Sequence, residues 1–234
     1  MEKLSRSELE ELWRGRYVEN YPQEMFPLIE KVEGLNPLRI IIEIGVNNCG
    51  TLRLWERLVP PGEGLVIGVD ISPRQDLLRV SGRSTNSPQL PMGGTAATTF
   101  WNTTPSSWVD WTTCTDGCFV PEESDRQVHL VSGDSTSEYV HDSVANILGD
   151  RKADFIFHDG DHLGEVPCKD FVNIVEPFLR QGGMFALADV GTIPESGQGL
   201  SGTVALYQEL SSKIGRNLPL IEPRMAGIAL WHKS

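Results

Sequence analysis

Cysteines, basic residues and long apolar runs are all scarce in this sequence. Its 234 residues include four cysteines, which show neither a disulfide framework nor paired C-x-x-C motifs. No stretch approaches the roughly 20 apolar residues of a membrane-spanning helix. The N-terminus is acidic, whereas a signal peptide is basic and then apolar. We therefore expect free thiols, a cytoplasmic location and no membrane partner.

Acidic residues outnumber basic residues. The chain carries 32 Asp and Glu against 20 Lys and Arg, so its formal charge is −12. That charge repels nucleic acids and anionic membrane surfaces at long range. With 39% hydrophobic residues, a chain of this length can bury the core of one α/β domain without covalent cross-links. The composition favours an enzyme that acts on a small molecule.

A strand–helix–strand pattern fills residues 39–70. It opens with the β-branched run IIIEIG, turns through NNCG into an apolar helical pattern, and ends in the run LVIGVD. Short apolar runs bounded by turn residues are typical of strands buried on both faces of a parallel sheet. Two such strands and the intervening helix make a βαβ unit, a common nucleotide-binding element.

The polar residues of this unit indicate an adenosine ligand. Asp70 ends the second strand, 20 residues after Gly50, where a carboxylate can accept hydrogen bonds from both hydroxyls of a ribose. The spacing of Gly45 and Gly50 is not the G-x-G-x-x-G of a pyrophosphate-binding turn. Glu43, beside this turn, would repel a pyrophosphate and suits a cationic amino-acid group.

Acids and imidazoles follow the later strands. Asp134 follows the predicted strand 128–131, and the run HDGDH, residues 158–162, follows the strand predicted to start at Asp154. Active sites of open α/β sheets lie at such strand ends. Asp134 is also a candidate N-cap for the next helix. His158 alternates toward the opposite face from His162, so we expect it to pack in the core.

These motifs resemble class I S-adenosylmethionine (SAM) methyltransferases. The similarity rests on EIGVNNCGTLRLW and VIGVDI for the first two motifs, and continues through VSGDS, DFIFHDGDH and GGMFALAD. Within the class, the chain is most similar to the branch of macrolide-sugar O-methyltransferases and cephalosporin-hydroxylase-like proteins. The resemblance implies a doubly wound, seven-stranded, mostly parallel Rossmann-like α/β sheet that ends in a C-terminal antiparallel hairpin.

The resemblance also implies roles for individual residues. His162 matches the general base of an Asp-x-x-His pattern, with Asp159 beside it as a second catalytic residue, and an imidazole suits this task because its pKa lies near working pH. Asp159 and Asp189 match the acids that hold Mg²⁺ in many relatives. Cofactor contacts carry over to Glu43, Gly45, Asn47, Asp70, Ile71, Asp134, Ser135 and Asp159.

The implied activity is transfer of a methyl group to a hydroxyl of a sugar, a polyketide or a similar small molecule, as in natural product biosynthesis. Two departures leave alternatives open. Cys49 stands where relatives carry a second glycine, and Ala188 and Val190 flank Asp189 where metal-dependent relatives supply a third ligand. A non-catalytic SAM-binding or partner-binding protein is one alternative. A nicotinamide-dependent oxidoreductase that uses the same βαβ unit is the other; the missing third glycine and Glu43 disfavour it, and binding of NADH would support it.

The chain divides into a predicted N-terminal helical cap, residues 1–38, and a SAM-binding domain, residues 39–234. An insertion, residues 73–126, interrupts the domain, and its part from 84 to 109 has no charged residue but includes Phe100, Trp101 and Trp108. Large apolar rings favour a lid over the substrate or a contact in a homo-oligomer, while the Ser, Thr, Pro and Gly content fits a structureless segment. We further expect Gly182 and Gly183 to end the helix that starts at Pro167.

Overall fold

The fold is built on one mixed β-sheet. The computed structural model describes residues 22–46, 50–71, 111–113, 118–121, 127–191, 201–222 and 226–234, with residues 7 and 10. Within these residues nine strands form the sheet, in the order β3-β4-β5-β2-β1-β6-β7-β9-β8. Their bounds are β1 (Ile40–Ile44), β2 (Leu65–Asp70), β3 (Trp111–Thr113), β4 (Cys118–Pro121), β5 (Gln127–Ser132), β6 (Ala153–His158), β7 (Leu179–Leu187), β8 (Leu220–Ile221) and β9 (Ile228–His232).

Helices cover both faces of this sheet. They are α1 (Pro22–Glu33), α2 (Gly50–Leu58), α3 (Glu138–Leu148), α4 (Val166–Asp170), α5 (Glu176–Phe178) and α6 (Ser201–Ile214), and a π-helical turn, Phe171–Val175, joins α4 to α5. Helices α1 and α2 pack on one face, and α3, residues 166–178 and α6 on the other. The predicted doubly wound α/β fold is confirmed. Among the helices of the described residues, none combines the length and the apolar character needed to cross a membrane.

Seven of the strands form the sheet that the sequence predicts. Strands β5, β2, β1, β6 and β7 run parallel, and β9 and β8 pair antiparallel at one edge. Ile44, at the end of β1, lies opposite Val69 on one side and His158 on the other. Because β1 has its sequence neighbour β2 on one side and the distant β6 on the other, a crevice forms at its carboxyl end.

Each face of the sheet has its own apolar core. Trp55 of α2 is fully buried and meets Phe155 and Phe157 edge to face, with ring centroids 5.3 and 5.6 Å away. On the other face Phe171 packs against Phe185 in the same way, at 5.6 Å. Burying one such side chain stabilises the fold by about 1.5–3 kcal/mol. The β-branched strands are therefore held from both sides, as their continuous apolar runs predict.

The insertion contributes two strands that the sequence analysis missed. Strand β4 pairs antiparallel with β5, and β3 pairs antiparallel with β4. This hairpin extends the sheet beyond the expected edge, so part of the insertion, residues 73–126, is regular structure. Residues 84–109 lie outside the described residues, and their roles as lid or oligomer contact stay predictions.

The prediction for Gly182 and Gly183 is wrong. The helical segment ends at Phe178, and both glycines lie within β7, where the pairing with β6 shifts register between Ala153 and Phe155. Pairing with the C-terminal strand explains this, because Gly182 N–H donates to Lys233 and Lys233 N–H donates to Gly183. Gly182 also has φ +72°, which a glycine adopts without strain.

The N-terminal cap is described only in its second part. Helix α1 packs its buried Met25, Leu28 and Ile29 into the first core, and buried Glu24 accepts a hydrogen bond from Gly227 N–H at 2.6 Å. Residues 1–21, apart from 7 and 10, lie outside the described residues. The division at residue 38 stays a prediction.

Candidate active site

A cavity opens at the carboxyl ends of β1, β2, β5 and β6. Its volume is about 360 Å³. Six of the residues predicted to contact a cofactor line it: Gly45, Asp70, Ile71, Asp134, Ser135 and Asp159. They come from four strand ends that parallel pairing brings to one edge of the sheet, the place where open α/β sheets bind ligands.

Gly45 forms the floor of this cavity. Its φ is +86°, and a Cβ built there would lie 2.2 Å from the carbonyl oxygen of Asp159 and 2.5 Å from Cα of Gly160. No side chain fits, so glycine is required at this position. The contact that requires it is with the loop that follows β6.

Asp70, at the end of β2, forms hydrogen bonds to the residues that follow β1 and β5. Its Oδ2 accepts a hydrogen bond of 2.9 Å from Val46 N–H, and its carbonyl oxygen accepts one of 2.9 Å from Gly133 N–H. The carboxylate thus stands at the cavity wall in a fixed orientation. Ile71 follows it with 63% of its surface exposed, which offers an apolar surface at the mouth of the cavity.

Asp134 shapes a turn rather than capping α3. Its Oδ1 accepts hydrogen bonds from the N–H and the hydroxyl of Thr136, at 2.9 and 2.8 Å. The N-cap of α3 is Ser137, whose hydroxyl accepts from Val140 N–H. The helix starts three residues later than an Asp134 cap requires, because the aspartate is satisfied within its own turn.

Glu43 does not line the cavity formed by the described residues. Its side chain is fully buried, Oε1 accepts a hydrogen bond from the Thr51 hydroxyl, and Oε2 has no partner among the described residues. Burial raises the pKa of Glu43 well above its ordinary value, and the hydrogen bond from Thr51 offsets only part of that. Burial therefore disfavours the charged form of this carboxyl group, and the contact with Thr51 connects β1 to the first turn of α2. Its contact with a cofactor stays a prediction, and Asn47 lies outside the described residues.

Three side chains converge next to the cavity. His162 Nδ1 lies 3.0 Å from Asp189 Oδ2, and its Nε2 lies 3.5 Å from Asp159 Oδ1. All three side chains are partly buried, with 21–25% of their surface exposed. Asp159 and His162 follow β6, while Asp189 follows β7 in a left-handed backbone conformation with φ 56°. We call Asp159, His162 and Asp189 the reaction cluster.

Burial and charge oppose each other at His162. Burial by itself lowers its pKa, but the neighbouring carboxylates of Asp159, Asp189 and Asp161 outweigh burial and raise it. The pKa of Asp189 is also raised, because burial outweighs the attraction of His162. Asp161 accepts a hydrogen bond from Leu163 N–H at 2.9 Å.

The reaction cluster fits a divalent cation. One ligand atom from each of its three residues lies within 4.8 Å of the others. The 3.5 Å separation from Asp159 leaves His162 Nε2 buried and without a hydrogen-bond partner among the described residues. Carboxylate oxygens suit Mg²⁺, and an imidazole is also accepted by Mn²⁺ and other transition ions. Ala188 is 2% exposed and packs into the first core, so the position that could supply a third acid is apolar.

His158 lies in the core, as the strand alternation predicts. It is fully buried, and its Nε2 lies 2.9 Å from Oδ2 of the equally buried Asp170. This pair joins the end of β6 to the end of α4 and so closes the loop that carries Asp159 and His162. Asp170 was missed in the sequence because no local pattern marks an acid on the buried side of a short helix.

Other residues of the site were missed for the same reason. Gly160, Thr136 and Val166 line the cavity, but only Gly160 had a signal, since it lies within the run HDGDH. Thr51, the partner of Glu43, is a further example. Their positions depend on how loops and helices pack rather than on sequence periodicity.

A family model described as "Methyltransferase domain" matches residues 42–190. No sequence among the curated proteins matches the chain. Solved structures with a similar fold include the MycE methyltransferase from the mycinamycin biosynthetic pathway in complex with Mg and SAH, at 17% identity and a TM-score of 0.55. They also include the O-methyltransferase TomG from Streptomyces achromogenes in complex with SAM, at 14% identity and a TM-score of 0.53.

A third similar structure is apo CalS11, a TDP-rhamnose 3'-O-methyltransferase, at 17% identity and a TM-score of 0.53. The alignments cover 97%, 99% and 98% of this chain for MycE, TomG and CalS11. They cover 92% of TomG and 81% of CalS11. For MycE the chain spans about half the length, 54%.

Proposed function

We propose, from the premise that this chain belongs to the methyltransferase domain family, that it transfers a methyl group from SAM to a hydroxyl oxygen of a small molecule. The observation that most directly supports this proposal is the position of the reaction cluster beside the cavity. Asp159 belongs both to the cavity wall and to the cluster, so a cofactor in the cavity and an acceptor at His162 would be neighbours. SAM-dependent O-methyltransferases with this fold, such as TomG, support the type of reaction.

The cavity has groups that suit the ribose and the adenine of the cofactor. Asp70 stands at the end of β2, where its carboxylate accepts a hydrogen bond from Val46 N–H, and a carboxylate at this place can accept hydrogen bonds from ribose hydroxyls. Ile71 offers an apolar surface for the adenine, and Asp134 and Ser135 lie on the same wall. The floor at Gly45 and Gly160 is main chain, which lets a ligand approach closely. When bound, SAM supplies an electrophilic methyl group on a sulfonium.

His162 is proposed as the general base. With Nδ1 protonated, the ring donates to Asp189 Oδ2 at 3.0 Å, and Nε2 is then free to take a proton. The acceptor oxygen forms a bond to the methyl carbon as the C–S bond breaks and its electron pair stays on sulfur. The hydroxyl proton passes to Nε2. Such positioned proton transfer contributes about 10²–10⁴-fold in rate.

Asp159 and Asp189 would hold a divalent cation with the help of the acceptor oxygen. That cation would supply Lewis acidity and lower the pKa of the acceptor hydroxyl. MycE binds Mg, which supports this proposal, while Ala188 stands where a further acidic ligand would strengthen the site. The acceptor is proposed to be a sugar, a polyketide or another hydroxylated small molecule, and mycinamycin and TDP-rhamnose are examples from relatives.

Calorimetry with S-adenosylhomocysteine (SAH) tests this function without knowledge of the acceptor. We expect micromolar SAH binding and none for NADH, in the presence of Mg²⁺ or of a chelator. A screen of hydroxylated acceptors with SAM, with and without metal, follows. NADH binding without SAH binding would overturn the proposal. SAH binding with no transfer to any acceptor would favour the non-catalytic alternative.

A further inference from the structure

We infer that the first turn of α6 positions the reaction cluster, with Gly202 and Thr203 as the positioning residues. This inference rests on the proposed function, because it takes the cluster as the place where the reaction occurs. Neither residue contacts the cavity. Both hold the main chain of cluster residues that come from two different loops.

Thr203 holds Asp189. Its hydroxyl donates a hydrogen bond of 2.7 Å to the Asp189 carbonyl oxygen, and Thr203 is fully buried. Asp189 has φ 56°, a conformation that costs a residue other than glycine about 1 kcal/mol or more. Such a conformation persists only where the surroundings hold it. The buried hydroxyl of Thr203 is a contact suited to do so.

Gly202 holds His162. Its N–H donates to the His162 carbonyl oxygen at 3.2 Å. A Cβ at Gly202 would lie 2.7 Å from the carbonyl oxygens of His162 and Gly164 and 2.9 Å from Cδ of Pro167. Two of these atoms belong to the main chain and cannot move aside cheaply. Glycine at this position lets α6 approach the loop closely enough for the hydrogen bond.

The two contacts together connect both loops of the reaction cluster to one turn of helix. Asp159 and His162 follow β6, Asp189 follows β7, and the first turn of α6 contacts both loops. The His162 Nδ1 to Asp189 Oδ2 distance of 3.0 Å depends on the relative position of these loops. A shift of about 1 Å in such a geometry can lower a rate by about a hundredfold. The turn therefore sets the distance on which the proposed base depends.

Hydrogen exchange tests the positioning directly, without an acceptor or a metal. Thr203→Val removes the hydroxyl but keeps the side-chain shape. We expect amide exchange in peptides covering residues 159–165 and 186–191 to rise by about tenfold, the equivalent of one lost hydrogen bond. Peptides from β1 and β2 should keep the exchange of the unmodified protein. Thr203→Ser keeps the donor and should restore the original exchange.

Ser211→Ala is the matched control. Ser211 also lies on α6, is 8% exposed, and accepts a hydrogen bond from Leu218 N–H at 3.2 Å, but it touches neither loop of the cluster. We expect it to leave exchange at 159–165 and 186–191 unchanged. If Thr203→Val does not fold, Thr203→Ala takes its place, because the smaller side chain brings no new contact.

Activity gives the second readout. With an acceptor found in the screen, Thr203→Val should lower kcat by about tenfold to a hundredfold while KM and the SAH dissociation constant change little. Rescue by Thr203→Ser distinguishes positioning from a general loss of stability. Unchanged exchange in both loops of Thr203→Val, or a rise spread evenly over the chain, would overturn the inference. If the unmodified protein did not bind SAH, the proposed function would be overturned. The hydrogen-exchange result would still show whether Thr203 positions the two loops.

Discussion

Strand β6 carries one acid at its start and another just beyond its end, and the two have opposite surroundings. Asp154, at the amino end, is 4% exposed. It accepts hydrogen bonds from Arg39 N–H at 2.7 Å, Ile40 N–H at 2.9 Å and Arg180 Nε at 2.5 Å. Asp159, at the carboxyl end, faces the imidazole of His162 at 3.5 Å and lines the cavity.

Because of this difference, Asp154 stabilises the fold, whereas Asp159 is available for chemistry. Asp154 has its charge balanced by a guanidinium and two main-chain donors, so few of its lone pairs remain. Asp159 instead lies close to the other two members of the reaction cluster. A buried acid with complete partners stabilises the structure, whereas acids grouped around one imidazole alter its pKa and can bind a cation.

The largest expected effect is the loss of activity on replacing the proposed base. His162→Gln should lower methyl transfer by about a hundredfold or more, because no imidazole remains to take the acceptor proton. SAH binding, measured by calorimetry, should persist. The matched control is His141→Gln, which removes a partly exposed imidazole 3.1 Å from Asp142 on α3 and should leave the rate unchanged. Equal rates for both variants would end the assignment of chemistry to the carboxyl end of β6.

Replacing Asp154 should act on stability instead. Asp154→Ala leaves Arg180 and two main-chain N–H groups without their acceptor, and breaking such a pair costs about 3–5 kcal/mol. We expect that loss in the free energy of unfolding measured with urea. The fraction that remains folded should bind SAH normally. If Asp154→Ala kept full stability but no longer bound SAH, Asp154 would belong to the cofactor site and not to the contacts that stabilise the fold.

Replacing Asp70 tests whether a second acid at the carboxyl edge of the sheet binds the cofactor. Asp70→Asn keeps an oxygen acceptor for Val46 N–H but loses the negative charge that strengthens hydrogen bonds from a ribose. A charge-assisted hydrogen bond contributes about 1.5–3 kcal/mol, so SAH should bind about tenfold or more weakly. Calorimetry measures this, and kcat at saturating SAM should change far less. An unchanged dissociation constant would remove Asp70 from the proposed cofactor site.

The smallest expected effect is a dependence of stability on pH. Because the pKa of folded His162 is raised above its ordinary 6.5, its stabilising contribution is complete below that pH and is lost as pH rises through the folded value. The difference in unfolding free energy between the unmodified protein and His162→Gln should therefore be largest below pH 6.5 and shrink above it. Urea unfolding in a chelator, at several pH values, measures this difference. If the difference in unfolding free energy did not change with pH, the neighbouring acids would not raise the pKa of His162 in solution.

Much of the fold and part of the site could be predicted from sequence. The apolar runs around Ile42, Ile67 and Ile156 indicate strands buried on both faces, and the structure confirms them. The hairpin β3–β4 could not be found this way, because its strands span only 3 and 4 residues within a composition typical of loops. Gly182 was misread because its partner, Lys233, lies at the far end of the chain.

The succession of the seven expected strands along the chain, and the acids that follow them, can be read from the sequence. A continuous apolar run is a local property, and parallel connections bring the ends of β1, β2, β5 and β6 to one edge. Which atoms meet at that edge depends on tertiary packing. The burial of Glu43 against Thr51, and the hold of Gly202 and Thr203 on His162 and Asp189, join separate elements. Such contacts depend on how close helices pack against loops, a distance that local periodicity does not encode.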